Sequence, residues 1–402
     1  MEIRETVSTP VTHTPDVLVV GGGIGGIAAA LAAARAGASV LLAERGFMLG
    51  GLATAGLVTV YLPLCDGMGR QVSFGIAEEL LRLSVARCPL ASRDAANWLQ
   101  ASDPALRTEK HPRYEVDFNP YVFALDAERI LREAGVEILY GVMAVAAQTE
   151  DRRIRAVMLE GKSGRVAVAP KSVVDATGDA DIAAQAGAPT ANFAQGNVPA
   201  YWCYTAGKDG FRRHMLGCSD IPDEEKAKGR RSGVPEGEER FLGIEDEEIS
   251  RLVMLAHSHL LTAYDKFREA DPTCEIAAMA SIPQLRMTRR IVGAYTQSTA
   301  DVHREFADSV GMVSDWRTRG PVYEVPFSTL YSPEVVNLIT AGRCTSVTDA
   351  LWDVMRVIPC CAVTGEAAGL AAALCNDFPS LDVALLQARL RENGVVLHER
   401  EL

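Results

Sequence analysis

The sequence predicts an α/β fold: a Rossmann-like domain built on a parallel sheet, interrupted by an inserted α+β unit. Three observations predict it. An apolar β-branched run, a glycine cluster, a small-residue helix and a second apolar run follow one another over residues 16–44. Further short segments with apolar centres, Ser172–Asp175 and Asn337–Ala341, lie far along the chain. Between them, residues 220–250 are rich in both charge signs, with Gly and Pro, and fit no buried strand. Strands that alternate with helices ask for a parallel sheet.

The elements follow in chain order. Asp16-Val-Leu-Val-Val20 reads as a buried parallel strand. Gly21, Gly23 and Gly26, with Ile24 and Gly25 between the last two, fit G-x-G-x-x-G. The first glycine permits the tight turn, the second lets a pyrophosphate approach the backbone, and the third lets the helix pack on the strand. The run from Ile27 to Ala38 is a strong helix former ended by Gly37. Its first N–H groups point at phosphate. Ser39–Ala43 is the second strand, and Glu44 lies at its end, where a carboxylate takes ribose hydroxyls. A lone glycine motif is weak. Strand, glycines, helix, strand and acid in that order point to a Rossmann-like dinucleotide site.

After Glu44 comes Arg45-Gly-Phe-Met-Leu-Gly-Gly-Leu-Ala-Thr-Ala-Gly56. This GG-x-A-T-x-G loop resembles that of the FAD-dependent oxidoreductases with the glutathione-reductase fold, in the branch whose substrates are mostly unassigned. The resemblance implies a three-layer ββα domain with FAD as cofactor. It implies that Arg45, Gly50, Gly51, Leu52, Ala53 and Thr54 carry the cofactor past its pyrophosphate. Ser172-Val-Val-Asp-Ala-Thr-Gly-Asp179 resembles the family's ATG segment, and so places Ala176, Thr177 and Gly178 beside the adenosine half. Met143 or Ala144, just after a strand at Val136–Tyr140, would meet adenine through the backbone. Asn337–Arg343 resembles the strand and glycine at the ribityl chain, with Gly342 and Arg343 in contact. Gly365, Glu366, Ala367 and Ala368 would open a helix toward the flavin pyrimidine, where its dipole favours an anionic reduced ring. The family pattern has a histidine near 349; this chain has Asp349.

The resemblance covers roughly 15–190 and 320–375. It gives a discontinuous FAD domain at 15–64, 114–190 and 321–390, with a helix at Asp126–Ala134 and hairpin-like strands to Val168. A helical or irregular insertion is expected at 65–113 and a substrate or cap domain at 191–320, including an exposed-face helix over 246–269. The 220–250 stretch reads as a solvated loop, with a moving lid as the alternative. One G-x-G-x-x-G is present, and no redox CxxxxC, which argues against a pyridine-nucleotide disulfide reductase.

Arg286, Arg289 and Arg290 cluster around a short apolar strand, and Arg356 precedes the glycine-bearing helix in an Arg356–Pro359 segment expected to be extended. An arginine fork near a flavin suits a substrate carboxylate. Arg356 and Arg289 are therefore the first catalytic candidates, and Tyr323 and Asp349 are acid/base candidates. Cys360 and Cys361 are adjacent; a small apolar packing role is weighed above a redox thiol.

The net charge of -12 argues against nucleic acid or an anionic membrane as main partner. Nine scattered cysteines without a CxxC pair suit a reducing compartment, and the opening residues lack a signal peptide's apolar core, so a cytoplasmic protein is expected. Val17–Ala43 is apolar enough to imitate a membrane span, but its glycines would break one. His257 and His259 lack companion ligands for a metal. The expected partner is a small-molecule substrate; a homo-oligomer or an electron-transfer partner stays open. The leading function is a dehydrogenase, oxidase or reductase. The alternatives are a thiazole-synthase-like use of the fold and a flavin subunit that passes electrons to a partner.

Overall fold

The computed structural model describes residue 3 and residues 6–87, 116–217 and 237–402. Most of the expected 65–113 insertion, from 88 onward, lies outside the described residues, as does 218–236 of the charge-rich stretch.

Strand β1 (Val11–His13) leads into β2 (Val17–Val20), helix α1 (Ile24–Arg35) and β3 (Val40–Glu44). After β4 (Val60–Tyr61) come α2 (Ile76–Val85), β5 (Val116–Asp117), α3 (Pro120–Glu133) and β6 (Glu137–Tyr140). The α3 helix starts six residues before the expected Asp126. Asn119 accepts hydrogen bonds from the Tyr121 and Val122 N–H groups, and Pro120 occupies the first turn. That Asn-Pro pair is a start signal in the sequence. Strands β7 (Met143–Glu150), β8 (Arg153–Gly161) and β9 (Gly164–Val168) form an antiparallel meander, and β10 (Ser172–Asp175) and α4 (Asp181–Gln185) follow.

The parallel sheet has the order β18-β10-β2-β3-β6, where β18 is Leu338–Thr340. Apart from the half-exposed edge strand β6, its strands are buried on both faces, and the period of two assigns each side chain to a layer. Val17, Val19, Val40, Leu42, Val174 and Ile339 face the helices. Leu18, Val20, Leu41, Ala43, Val173 and Leu338 face the second sheet, β1-β9-β8-β7, through Val157, Leu159 and Val168. This is the three-layer ββα arrangement. The stretch that imitates a membrane span is β2, α1 and β3. No single helix among the described residues is long and apolar enough to cross a membrane.

The inserted unit contains β11 (Thr190–Asn192), β12 (Cys203–Gly207), β13 (Gly210–His214), the 25-residue α5 (Asp246–Ala270), β14 (Glu275–Met279) and β15 (Arg289–Ile291). Strands β12–β14 form a small antiparallel sheet, and β15 pairs with β11. Only Leu252 and Leu260 of α5 are buried, which fits an exposed-face helix; His257 and His259 lie on it. The hairpin of β16 (Ser309–Ser314) and β17 (Val322–Pro326) corrects the expected boundary at 320. Val310, Val313 and Val325 join the core of the first domain.

Helix α6 (Asp349–Met355) meets α7 (Ile358–Leu374) at an 88° bend, and α8 (Val383–Glu392) follows. Arg356 caps α6 in helical geometry and Val357 is the extended N-cap of α7. The expected extended Arg356–Pro359 segment is thus a helix–helix corner, with Pro359 tolerated in the first turn of α7. Helix α7 is buried from Ile358 to Ala372 and lies along α1. A Cβ on Gly365 would sit 2.3 Å from the Gly25 carbonyl oxygen, and one on Gly369 would sit 2.0 Å from that of Ala29. Those glycines let two backbones touch.

Candidate functional site

A cavity of about 790 Å³ opens along the carboxyl ends of β2, β3 and β10 and runs to the α6–α7 corner. Its size falls in the range of small-molecule and cofactor sites.

The nucleotide end is built from the β2–α1 turn. Gly21 has φ +100°, and a Cβ there would lie 2.4 Å from the Ala176 carbonyl oxygen. A Cβ on Gly26 would meet the Gly21 oxygen at 1.8 Å. Gly23 is different: nothing lies within 4 Å of its Cβ position, which borders the cavity. Turn, close packing and open approach are thus divided among the three glycines as the motif requires. No side chain caps α1 and no acid occupies its first turn, so its N–H groups and dipole are available to an anion. Ile24 and Gly25 line the same wall.

Glu44 ends β3 on the cavity wall. One carboxylate oxygen accepts from the Gly22 N–H at 2.6 Å and the other from the Gly46 N–H at 2.6 Å. Its direction is fixed, and each oxygen keeps a lone pair for a hydroxyl. Gly50 and Gly51, at φ +104° and +55°, bring the loop back beside Gly23. Arg45, Leu52 and Ala53 line the cavity with them. Thr54 is turned inward instead, donating to the Leu49 carbonyl at 2.6 Å.

Ala176, Thr177 and Gly178 line the opposite side with Met143 and Ala144. The Thr177 hydroxyl donates to Asp175 at 2.6 Å, and burial raises the Asp175 pKa. Asp179, which ends the ATG segment, completes this end with Asp181 and Gln185, to which no sequence motif pointed. Burial, helped by Asp179 and Asp175, pushes Asp181 up to about 6.

Gly342, Arg343 and Ala341 carry the wall toward the corner, where Val357, Ile358 and Cys361 present the first turn of α7. Gly365, Glu366, Ala367 and Ala368 do not line the cavity. They sit about two to three turns into α7, in the helix layer. Glu366 faces α2, accepting from the Ile76 N–H at 2.7 Å, and burial pushes it up to about 7. The expected flavin-facing helix is correct as a helix and displaced in its opening residue. Its composition is uniform, so the start was not legible from glycine position.

Of the four catalytic candidates only Arg356 lines the cavity. It is paired with the buried Asp353, and its Nε has no protein partner. Arg289 does not line the cavity; it bonds the Asp179 carbonyl at 3.0 Å and Asp181 at 2.7 Å. Asp349 begins α6 and accepts from the Ala194 N–H at 3.0 Å, 4.0 Å from Arg290. Tyr323 is buried on β17 within the core. Neither of these borders the cavity. Cys361 does, but burial pushes its thiol up to about 11, and Cys360 well above the ordinary range.

The remaining wall comes from Val58, Val60 and Leu62 around β4 and Ser281, Ile282, Pro283 and Leu285 of the inserted unit, places no local motif marks, and from Arg286 of the arginine cluster.

The sequence matches the family model described as FAD dependent oxidoreductase over residues 16–198 and 212–390. No curated protein matches it. Among solved structures, a geranylgeranyl bacteriochlorophyll reductase-like protein from Thermoplasma acidophilum is similar at 14% identity, covering 95% of this chain and 82% of that one, with a TM-score of 0.43. A 3-ketosteroid-delta4-(5alpha)-dehydrogenase from Rhodococcus jostii is similar at 17% identity, covering 91% and 98%, with a TM-score of 0.41. Thermovibrio ammonificans THI4 matches over 43% of this chain and 61% of its own at 20% identity, with a TM-score of 0.30.

Proposed function

The chain belongs to the FAD dependent oxidoreductase family, and from that premise we propose that it transfers a hydride or electrons between its flavin and a small carboxylated molecule held by Arg356. FAD is its cofactor, and the bound flavin supplies the hydride or electron chemistry. The residues fit that group. The open Gly23 and the uncapped α1 N-terminus would hold the pyrophosphate, the fixed Glu44 carboxylate a ribose, and the Met143–Ala144 backbone the adenine.

The single observation that carries the substrate reading is Arg356. It is the one catalytic candidate on the cavity wall, its side chain is held by buried Asp353, and its Nε donor is still unpartnered. A guanidinium kept in place this way on the cavity wall can give a carboxylate a charge-assisted hydrogen bond. The first turn of α7 beside it adds partial positive charge to the same corner. The thiazole-synthase-like alternative calls for an available cysteine. Burial raises both Cys360 and Cys361, which disfavours it.

The experiment is anaerobic bleaching of the purified yellow protein with a panel of carboxylic acids and their reduced or oxidised partners. Arg356→Lys keeps charge and loses the fork, so flavin reduction by substrate should slow while FAD stays bound. Arg356→Met should be slower still, by roughly ten- to hundredfold, the size of a charge-assisted hydrogen bond. Wild-type rates in both variants would remove Arg356 from the site. Bleaching only by a protein donor would favour the electron-transfer subunit.

A further inference from the structure

The turn between β10 and α4 stands where the cofactor cavity meets the inserted unit. We infer that its Asp179 is a positioning residue that couples FAD binding to the placement of that unit. This role is independent of the carboxylate reading of Arg356. Gly178 and Ala180 flank Asp179, and both have positive φ, +86° and +51°. Ala180 is fully buried, and a left-handed alanine is strained, so its surroundings must hold it there. Its N–H donates to the Cys344 Sγ at 3.2 Å. Held in this turn, the Asp179 carbonyl accepts from Arg289 Nε at 3.0 Å. One carboxylate oxygen, Oδ1, accepts from two donors, the Thr288 hydroxyl at 2.6 Å and Arg343 Nη2 at 3.0 Å.

Arg343 is the cofactor side of this junction. It lines the cavity, and its guanidinium lies against Gly178, where a Cβ would sit 2.4 Å from Nη2 and 2.6 Å from Cζ. Its Nε is buried and has no protein partner among the described residues. Gly342, the residue before it, approaches the start of α1: a Cβ on Gly25 would lie 3.0 Å from the Gly342 nitrogen. Arg343 thus stands beside the uncapped N–H groups that would hold the FAD pyrophosphate. A guanidinium with a donor to spare gives a nearby phosphate or ribityl oxygen a charge-assisted bond, while Asp179 keeps its other end.

Thr288 is the other side. It is fully buried and does not line the cavity. Its carbonyl accepts from the Phe193 N–H at 2.8 Å, and Arg289 after it bonds Asp181 at 2.7 Å as β15 begins. Leu285, three residues before Thr288, lines the cavity. The chain of contacts therefore runs from cofactor to Arg343, to Asp179 Oδ1, to Thr288, and on to the wall that the inserted unit supplies. A ligand that fixes Arg343 fixes the carboxylate that Thr288 is tied to. Linkage makes the effect reciprocal, so loosening Thr288 must weaken the hold on FAD by the same factor.

The test uses the FAD-loaded protein and two readings: the rate of FAD release on dilution, followed by flavin fluorescence, and amide hydrogen exchange over residues 285–292. Thr288→Val keeps the shape and removes the hydroxyl. FAD should leave it roughly three- to tenfold faster than wild type, although residue 288 is off the cavity wall. Thr288→Ser keeps the hydroxyl and should release FAD at the wild-type rate. Arg343→Met should raise exchange over 285–292 by roughly threefold or more. In an Asp179→Ala background, Thr288→Val should change FAD release, and Arg343→Met should change exchange, by less than about twofold. Wild-type release from Thr288→Val, or unchanged exchange in Arg343→Met, overturns the coupling. Release from Thr288→Ser as fast as from Thr288→Val assigns the effect to packing and overturns it too. Effects that persist in full without the Asp179 carboxylate overturn the role of Asp179. No substrate is present in either reading, so each outcome leaves the carboxylate reading of Arg356 where it stood.

Discussion

Helices α1 and α7 are built from the same materials, alanine and glycine with a few aliphatics, and both open on the cavity. Their glycines do opposite work. Gly23 stands at the mouth of α1 with open space where a side chain would go. Gly365 and Gly369 lie deep in α7, pressed on the α1 backbone with no space at all. The first is an approach surface and the second a seam. Glycine spacing alone does not distinguish them; what matters is whether a neighbouring helix passes within contact distance.

The comparison breaks most sharply on a pair of substitutions. Gly369→Val drives a branched side chain into the Ala29 carbonyl, with backbone on both sides and nowhere to move. It should cost about 3 kcal/mol or more, read as a fall in the denaturant midpoint. Gly23→Ala should stay within about 0.5 kcal/mol of wild type in the same measurement, yet lose FAD affinity. A stable Gly369→Val, or an unfolded Gly23→Ala, would reverse the two roles.

The same seam carries a buried acid. Glu366 is pushed from 4.5 up to about 7, by burial first, while the unfolded chain ionises it near its ordinary value. The folded protein holds the proton more tightly, so this contribution is fully present below pH 4.5 and is lost as pH rises toward about 7. Relative to Glu366→Gln, wild type should lose stability across that window, by about 3 kcal/mol at most. Parallel pH–stability curves for the two proteins would place Glu366 in a solvated setting, nearer the ligand-facing role that its sequence position suggested.

At the α1 end, Glu44→Ala removes a carboxylate whose direction is set by the Gly22 and Gly46 N–H groups. FAD affinity should fall by roughly ten- to hundredfold, equivalent to about 1.5–3 kcal/mol, with the fold retained. Unchanged affinity in a folded variant would mean that the fixed acid does not meet the ribose.

The contrast explains what could be read from the chain. The β2–α1–β3 unit is local: strand, turn, helix, strand and acid occupy residues 17–44, so Gly21, Gly23, Gly26 and Glu44 announce their places. Strands β10 (Ser-Val-Val-Asp) and β18 (Leu-Ile-Thr) are legible through the resemblance of their segments to the family's. The far wall of the cavity is assembled from 55–62, 281–286 and 356–361, segments far apart in sequence, the first two joined by the Ser281 N–H to Ala55 carbonyl bond. Period two at Val58, Val60 and Leu62 was available in the sequence, but not which side of it would face a cavity. Arg289 and Arg286 are three residues apart and look alike in sequence. One ties β15 to α4, and the other reaches the cavity because Asn197 clamps its backbone.

The smallest effect is expected at the mouth of α7. A cysteine in the first turn of a helix ordinarily has a lowered pKa, because unpaired N–H groups stabilise the thiolate. Cys361 is in that position and lines the cavity, so by analogy with α1 it would be an activated group. Burial outweighs this and pushes the thiol up to about 11, with Arg343 and Arg356 offsetting only part of the shift. The Sγ instead reaches the Arg356 carbonyl at 3.2 Å, closing the α6–α7 corner. At neutral pH the group is a neutral thiol that packs, a common use of buried cysteine. Cys361→Ala should therefore change flavin reduction by substrate about twofold or less. Its stability cost should be about 1 kcal/mol, from one lost sulfur and its contacts. A loss of turnover beyond tenfold, together with a long-wavelength thiolate–flavin band in wild type that vanishes in the variant, would show that the α7 mouth activates its ligand-facing group as the α1 mouth does.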